Sequence, residues 1–311
     1  MLSHRERVAQ TLRGDATDRI ARGEFFIADE FVQAFLHLNG DVEFRHRQAV
    51  VEQLDLDIAS VAFSAGWGTQ DQPDEDRALD ALVRWRSESD RFVFALIDGP
   101  FSAAVKSRGF DALMRYVHRA PQFARDDFRH GAAETRVMAQ AARDAGADGV
   151  ILGEDLAYNR STFFSPRQMR DLYFPELQPT VRDVCALGLA VFFHSDGNLN
   201  LILGDLAACA VDGIQGLEPE AGMQIGAVRA RVGGAVTLWG NLGFDFLSVA
   251  RTEQESAAAV REIESANARR GGLILGSCGG LVPGLNVDTI KRVYAQRIRG
   301  DRLLRNLNQG D

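Results

Sequence analysis

Six short clusters in this chain hold side chains that can move protons, attack an electrophile or bind a metal. They read Asp98-Gly99-Pro100, Gly153-Glu154-Asp155, His194-Ser195-Asp196-Gly197-Asn198, Glu218-Pro219-Glu220, Gly240-Asn241 and Gly276-Ser277-Cys278-Gly279-Gly280. Carboxyls and imidazole serve as general acids and bases, and a thiol serves as a nucleophile or a ligand. Glu154 and Asp155 are adjacent, so their side chains leave a strand end in opposite directions and only one can easily face a shared site. Lysine chemistry has little to draw on, because Lys106 and Lys291 are the only lysines.

Each cluster closes or follows a short apolar run, and those runs are what must bring the clusters together. They are Glu24 to Ala28, Asp57 to Phe63, Phe92 to Asp98, Gly149 to Gly153, Ala190 to His194, Gly213 to Glu218, Ala235 to Gly240 and Leu273 to Ser277. Continuous rather than alternating hydrophobicity suits a parallel sheet covered on both faces. The segments between the runs read mostly as amphipathic helices, clearest over 131–146 and 253–268. The long connection after the third run predicts two helices, Phe110 to Val117 and Pro121 to Ala145, broken at Pro121. An S-x-x-E capping box at Ser3 to Glu6 opens a short N-terminal helix. Eight strands alternating with helices predict an α/β fold, a (β/α)8 TIM barrel with an N-terminal helical extension, as a single domain over residues 1–311. An open doubly wound sheet is the structural alternative. In a barrel the carboxyl ends of the strands share one mouth, which is where the six clusters would meet.

The 311 residues are 46% hydrophobic and 25% charged, which excludes a largely disordered or fibrous protein. A net charge of −8 gives no overall attraction to phosphate backbones or anionic lipid, so nucleic acid and membrane are not expected partners. The start, MLSHRERVAQTL, lacks the apolar core of a signal peptide, and no apolar run approaches a membrane span, so a cytoplasmic location is expected. Cys185 and Cys209 fall in helical stretches and Cys278 in a glycine-rich turn, a pattern that implies no disulfide framework.

The chain resembles the uroporphyrinogen decarboxylase (URO-D) superfamily, which includes zinc-dependent methyltransferases that act with corrinoid proteins. The resemblance runs through RERVAQTLRGDATDRI, GEDLAYNRSTFFSPRQMRDLYFPEL, FFHSDGNLNLILGDL, DGIQGLEPEAGM and ILGSCGGLVPGLNVDTIK, in that order. It implies a (β/α)8 barrel and a homodimer. Two departures bear on function. Where true uroporphyrinogen decarboxylases carry an arginine-rich MRQAGRY-like clamp after the first strand, this chain reads GEFFIADEFVQAFL. Where the zinc methyltransferases have a histidine, a cysteine two residues later and a last cysteine after the final strand, this chain has His194, Asp196 and, within a residue or so, Cys278.

The resemblance therefore implies a metal at His194 and Cys278 with Glu218 or Asp196, since a catalytic zinc needs three protein ligands and one open position. A mixed nitrogen, sulfur and oxygen set leaves the metal electrophilic, suited to polarising an oxygen substrate. The expected activity is metal-dependent methyl transfer from a small methylated substrate, such as a methyl ether, to or from a corrinoid protein that carries the cobalamin. The resemblance favours Asp155 over Glu154 as the catalytic acid, base or orienting group. Tyr158, Arg160, Asn241 and Trp67 are the expected substrate contacts, Tyr158 and Trp67 by stacking on a flat molecule. The alternative is cofactor-free decarboxylation of a tetrapyrrole or other acidic substrate held by arginines. A phosphorylated substrate at the glycine-rich turn of 276–280 ranks third, and a non-catalytic scaffold last. Each residue also has a plain reading: His194 as a hydrogen-bond donor, Asp196 as a helix cap, Glu218 as an acceptor for backbone amides, Cys278 as a small turn residue, and Asp155 in an ion pair with Arg160.

Overall fold

The computed structural model describes residues 2–63, 75–266 and 272–296. Its main sheet has eight strands: β1 (Ala21–Arg22), β2 (Ile58–Ala62), β3 (Phe92–Asp98), β4 (Gly149–Gly153), β5 (Ala190–Ser195), β6 (Gly213–Gly216), β7 (Thr237–Leu242) and β8 (Leu273–Ser277). Each strand pairs in parallel with its neighbour in the order β1-β8-β7-β6-β5-β4-β3-β2, and helices surround the sheet, giving a nearly closed (β/α)8 barrel. β3, β4 and β8 keep the limits expected from their apolar runs. β1 does not: the strand is Ala21–Arg22, and the apolar run 24–28 lies beyond it as the segment that crosses toward the mouth. Arg22 hid the strand, because a buried arginine is tolerated there through its ion pair with Asp55 at 3.0 Å and its hydrogen bond to Gln296 O at 2.6 Å.

The two helices expected after β3 are Phe110–Arg119 and Pro121–Asp144, and the N-terminal helix His4–Arg13 has its capping box, with Ser3 Oγ accepting from the Glu6 amide. That helix seals the amino-terminal end of the barrel. The fully buried Asp57 carboxylate accepts from Arg7 Nη1 (2.6 Å), Arg19 Nη1 (2.6 Å) and the Arg22 amide (2.8 Å), and pairs with His4 Nδ1 (2.7 Å). The Asp57 amide donates to Arg22 O at 2.7 Å, which bridges the β1/β2 seam. Three arginines are thus committed to the end opposite the mouth. Among the described residues, no helix is long and apolar enough to cross a membrane.

The lumen is filled. Phe94 on β3, Phe192 on β5 and Trp239 on β7 meet with ring centroids 5.2 to 5.6 Å apart, one layer contributed by alternate strands. Glycines on the strands between make the room. A Cβ at Gly149 of β4 would stand 2.5 Å from Phe94 Cε1 and 2.8 Å from the Ala190 carbonyl of β5. Neither ring nor backbone can retreat, so Gly149→Ala is expected to destabilise the fold by about 1–3 kcal/mol. Chemical denaturation measures it, with a lowered midpoint at unchanged slope as the expected result.

Candidate active site at the carboxyl ends of the strands

Sheet register assembles the site. β4 pairs with β5 so that Gly153 lies beside His194, and β5 with β6 so that His194 lies beside Gln215. Asp155 leaves β4 two residues past Gly153, and Asp196 leaves β5 directly. The imidazole is 2% exposed, with Nε2 at 3.4 Å from Asp155 Oδ1 and 4.0 Å from Asp196 Oδ1. Phe25, from the segment after β1, stacks on the ring at 4.0 Å and 21°. Nδ1 is hydrogen-bonded to Gln215 Oε1, and Gln215 Nε2 donates to Ser277 O (3.1 Å) and Cys278 O (2.9 Å) at the end of β8. The two carboxylates are about half exposed, so one side of the cluster opens to the mouth.

Strain accompanies the arrangement. Asp155 is held at φ +25° and Leu217, at the end of β6, at φ +61°, a region that side chains other than glycine enter at a cost of order 1 kcal/mol. Partial burial would raise the Asp155 carboxyl, but His194 and the Asp196 amide, which donates to Oδ1 at 3.0 Å, hold it below the usual range. Burial opposes protonation of His194, and Asp155, Asp196 and Gln215 outweigh it, so the imidazole titrates above its ordinary value. Asp196 is pushed up to about 6, chiefly by desolvation, with His194 opposing and the charges of Asp155 and Glu218 adding to the rise.

The donor set fits a metal. One ligand atom from each of Asp155, His194 and Asp196 lies within 4.8 Å of the others, and Asp196 Oδ1 is buried with no hydrogen-bond partner. A buried carboxylate oxygen without a hydrogen bond carries a desolvation penalty that His194 at 4.0 Å offsets only in part, and a cation between the three groups would relieve it.

The other expected residues fall in different places. Glu218 turns its Oε2 to the Gly197 amide at 2.7 Å, bracing the loop that carries Asp196. The Cys278 thiol is buried, and burial together with the charges of Glu220, Glu218, Asp196 and Glu24 pushes its pKa well up, so it stays protonated in the metal-free site. Among the described residues, neither Glu218 nor Cys278 joins the group formed by Asp155, His194 and Asp196. Glu154 faces away from the mouth: it is fully buried, its Oε2 accepts from the amides of Phe101 (2.9 Å) and Ser102 (3.0 Å), and Oε1 accepts from Tyr173 OH. It caps the helix Pro100–Arg108, and Gly99 has no side chain because a Cβ there would collide with the Glu154 carboxyl. Desolvation raises Glu154 to about 8. Asp155 pairs with His194 rather than with Arg160, which is exposed. Tyr158 is exposed on a small hairpin and stacks on Phe163 at 6.0 Å. Asn241 spends its amide hydrogens on Leu217 O and Met223 O. Trp67 lies outside the described residues.

Three participants escaped the sequence reading. Gln215 was legible as the one amide in a four-residue strand otherwise made of Gly and Ile. Phe25 looked like core. Glu24, buried beyond β1, accepts from Ser277 Oγ and Tyr294 OH and is raised to about 7 by desolvation, which ties the helix Val287–Ala295 to the β8 turn. An acid inside an apolar run was its signal.

A family model described as uroporphyrinogen decarboxylase (URO-D) matches residues 70–297. The fold is similar to that of a methyltransferase from Methanosarcina mazei, with a TM-score of 0.77 and 16% identity over 95% of this chain and 98% of that one. An L-ribulose 3-epimerase (TM-score 0.52, 10% identity, 94% of each chain) and a D-psicose 3-epimerase from Clostridium cellulolyticum H10 (0.51, 10%, 82% of this chain and 91% of that one) are more distant. No curated protein matches the sequence. At these identities the structural likeness is one of fold.

Proposed function

The chain belongs to the uroporphyrinogen decarboxylase (URO-D) family, and from that premise we propose that it is a metal-dependent methyltransferase component. In this reading His194, Asp196 and Asp155 hold a zinc ion at the barrel mouth. The ion supplies a Lewis acid with an open position for an oxygen substrate. The substrate is a small methylated compound, a methyl ether being the simplest. The methyl group would leave with the C–O electron pair remaining on oxygen and would pass to a nucleophilic corrinoid protein, which would supply the pair for the new bond to carbon.

The chain's own groups prepare for this in three ways. Gln215 and Phe25 fix the imidazole from the edge and the face. The Asp196 amide and Gly197 amide, held by Asp155 and Glu218, fix the loop that presents the second carboxylate. The buried surroundings on the strand side keep water off His194.

The observation that carries the reading is Asp196 Oδ1, buried without a hydrogen-bond partner and set opposite His194 Nε2 and Asp155. Decarboxylation of an acidic substrate fits less well. Arg7, Arg19 and Arg22 gather at the far end of the barrel, and Phe25 occupies the segment after β1.

Elemental analysis of untagged protein is expected to find one zinc per chain, and that protein should methylate a Co(I) corrinoid protein from an aryl methyl ether. Protein from zinc-replete cells that carries no zinc and takes up none on titration would overturn the assignment, leaving acid-base chemistry at Asp155.

A further inference from the structure

A histidine ring can bind a cation or a proton through either nitrogen, and what selects one is the partner of the other. In this barrel that partner is an amide whose own orientation is fixed from elsewhere. Gln215 Nε2 lies 3.1 Å from Ser277 O and 2.9 Å from Cys278 O. Both are carbonyl oxygens and can only accept, so the nitrogen of the amide must face them. The amide oxygen is therefore the atom turned toward His194 Nδ1. An oxygen there can only accept, and its contact with Nδ1 is much closer than that of the competing acceptor, Asp155 Oδ1, with Nε2 at 3.4 Å, so Nδ1 carries the hydrogen. In the neutral ring Nε2 is then the lone-pair nitrogen, and Nε2 is the atom that faces Asp155 and Asp196.

We infer that Gln215 is the positioning residue of this site: it dictates the Nδ1–H tautomer of His194 and locks the ring to the β8 turn that carries Cys278. The inference rests on the reading above in one respect, that Nε2 is the ligand atom.

Four features support a built device rather than incidental packing. Gln215 is completely buried, and burying an amide is tolerated only when its donors and acceptor are matched. All three of its bonds run to chain segments far apart in sequence, 21, 62 and 63 residues away. The ring is also clamped through its face by Phe25, so rotation about its own axis is opposed from two directions. Finally, the register that sets Gln215 beside His194 is the β5/β6 pairing itself, so the contact is imposed by the sheet.

The test reads the tautomer directly, on metal-free protein, by long-range 15N–1H correlation of the imidazole at a pH where the ring is neutral. Wild type is expected to show His194 with hydrogen on Nδ1, and Gln215→Leu a mixture or the Nε2–H form. In parallel, zinc affinity measured by competition with a chelator is expected to fall about 10- to 100-fold in Gln215→Leu, the range typical of outer-shell partners. Circular dichroism confirms that the variant folds. Wild-type His194 found as the Nε2–H tautomer overturns the inference without any variant. So does Gln215→Leu that retains both the Nδ1–H form and wild-type zinc affinity, an outcome that leaves the metal reading intact. A wild type that never binds zinc, yet loses its Nδ1–H form in Gln215→Leu, removes the metal reading and keeps the role of Gln215.

Discussion

On the proposed reading, His194→Ala is expected to abolish both zinc binding and methyl transfer. Removing the imidazole deletes the central member of the Asp155, His194, Asp196 group, and the two carboxylates left behind repel each other with nothing between them. A Lewis acid contributes several kcal/mol of charge stabilisation to a reaction of this kind, and about 4 kcal/mol corresponds to a loss of roughly 10³-fold in kcat/KM. Single-turnover methylation of a Co(I) corrinoid protein, followed by its absorbance, measures that loss. Activity within tenfold of wild type would falsify a role for His194 at the reacting centre. Asp196→Asn makes the companion case with almost no change in volume. Ionisation of Asp196 is opposed in the folded protein, so its charge works against stability as pH rises through about 6. Metal-free Asp196→Asn should therefore melt above metal-free wild type at pH 8 while failing to bind zinc. A residue that lowers stability and raises activity is the usual mark of a functional position.

Glu154→Ala is expected to damage the fold severely. It strips the acceptor from the Phe101 and Ser102 amides and from Tyr173 OH, all within a buried region. Three orphaned donors at about 1–3 kcal/mol each, less what the relaxed cavity recovers, point to a loss of about 4 kcal/mol. That is a fall of roughly 6 °C in melting temperature for a chain of this size. Glu154→Gln should be far milder, because its amide can still accept from the two backbone groups. The pair also carries a pH signature. The folded-state pKa of about 8 exceeds the ordinary 4.5, so the folded protein holds a proton that the unfolded chain releases. The stability from Glu154 is thus complete below 4.5 and is lost progressively as pH rises to about 8. Denaturation at pH 5 and pH 8.5 should show Glu154→Gln gaining on wild type at the higher pH; a gap that stays constant would count against the buried, proton-holding carboxyl.

Much of this architecture was legible from apolar runs closed by polar clusters. The runs at 92–98, 149–153 and 273–277 coincide with β3, β4 and β8 because continuous burial leaves an unbroken hydrophobic signature. β1 escaped for the opposite reason: its two residues include an arginine whose charge is neutralised by Asp55, a partner 33 positions away. The site divides the same way. His194, Asp155 and Asp196 sit at strand ends, where residue type and position suffice to nominate them. Which of them touch depends on the β4/β5 register, and no local pattern encodes that. Glu218 and Glu154 had the right chemistry at the right height on the barrel, yet both serve backbone amides, since loops and helix ends near a mouth also need acceptors.

The ring layer of Phe94, Phe192 and Trp239 has a bearing on traffic. Phe192 lies two residues before His194 on the same strand and therefore points the same way, one step deeper. Among the described residues, the interlocked rings fill the barrel below His194, and the N-terminal helix lies against the amino-terminal ends of the strands. Among the described residues, approach to His194 is from the side where Asp155 and Asp196 are half exposed. On the proposed reading, a small molecule and a carrier protein would both come to that one side and would take turns or share it, rather than being served from opposite ends.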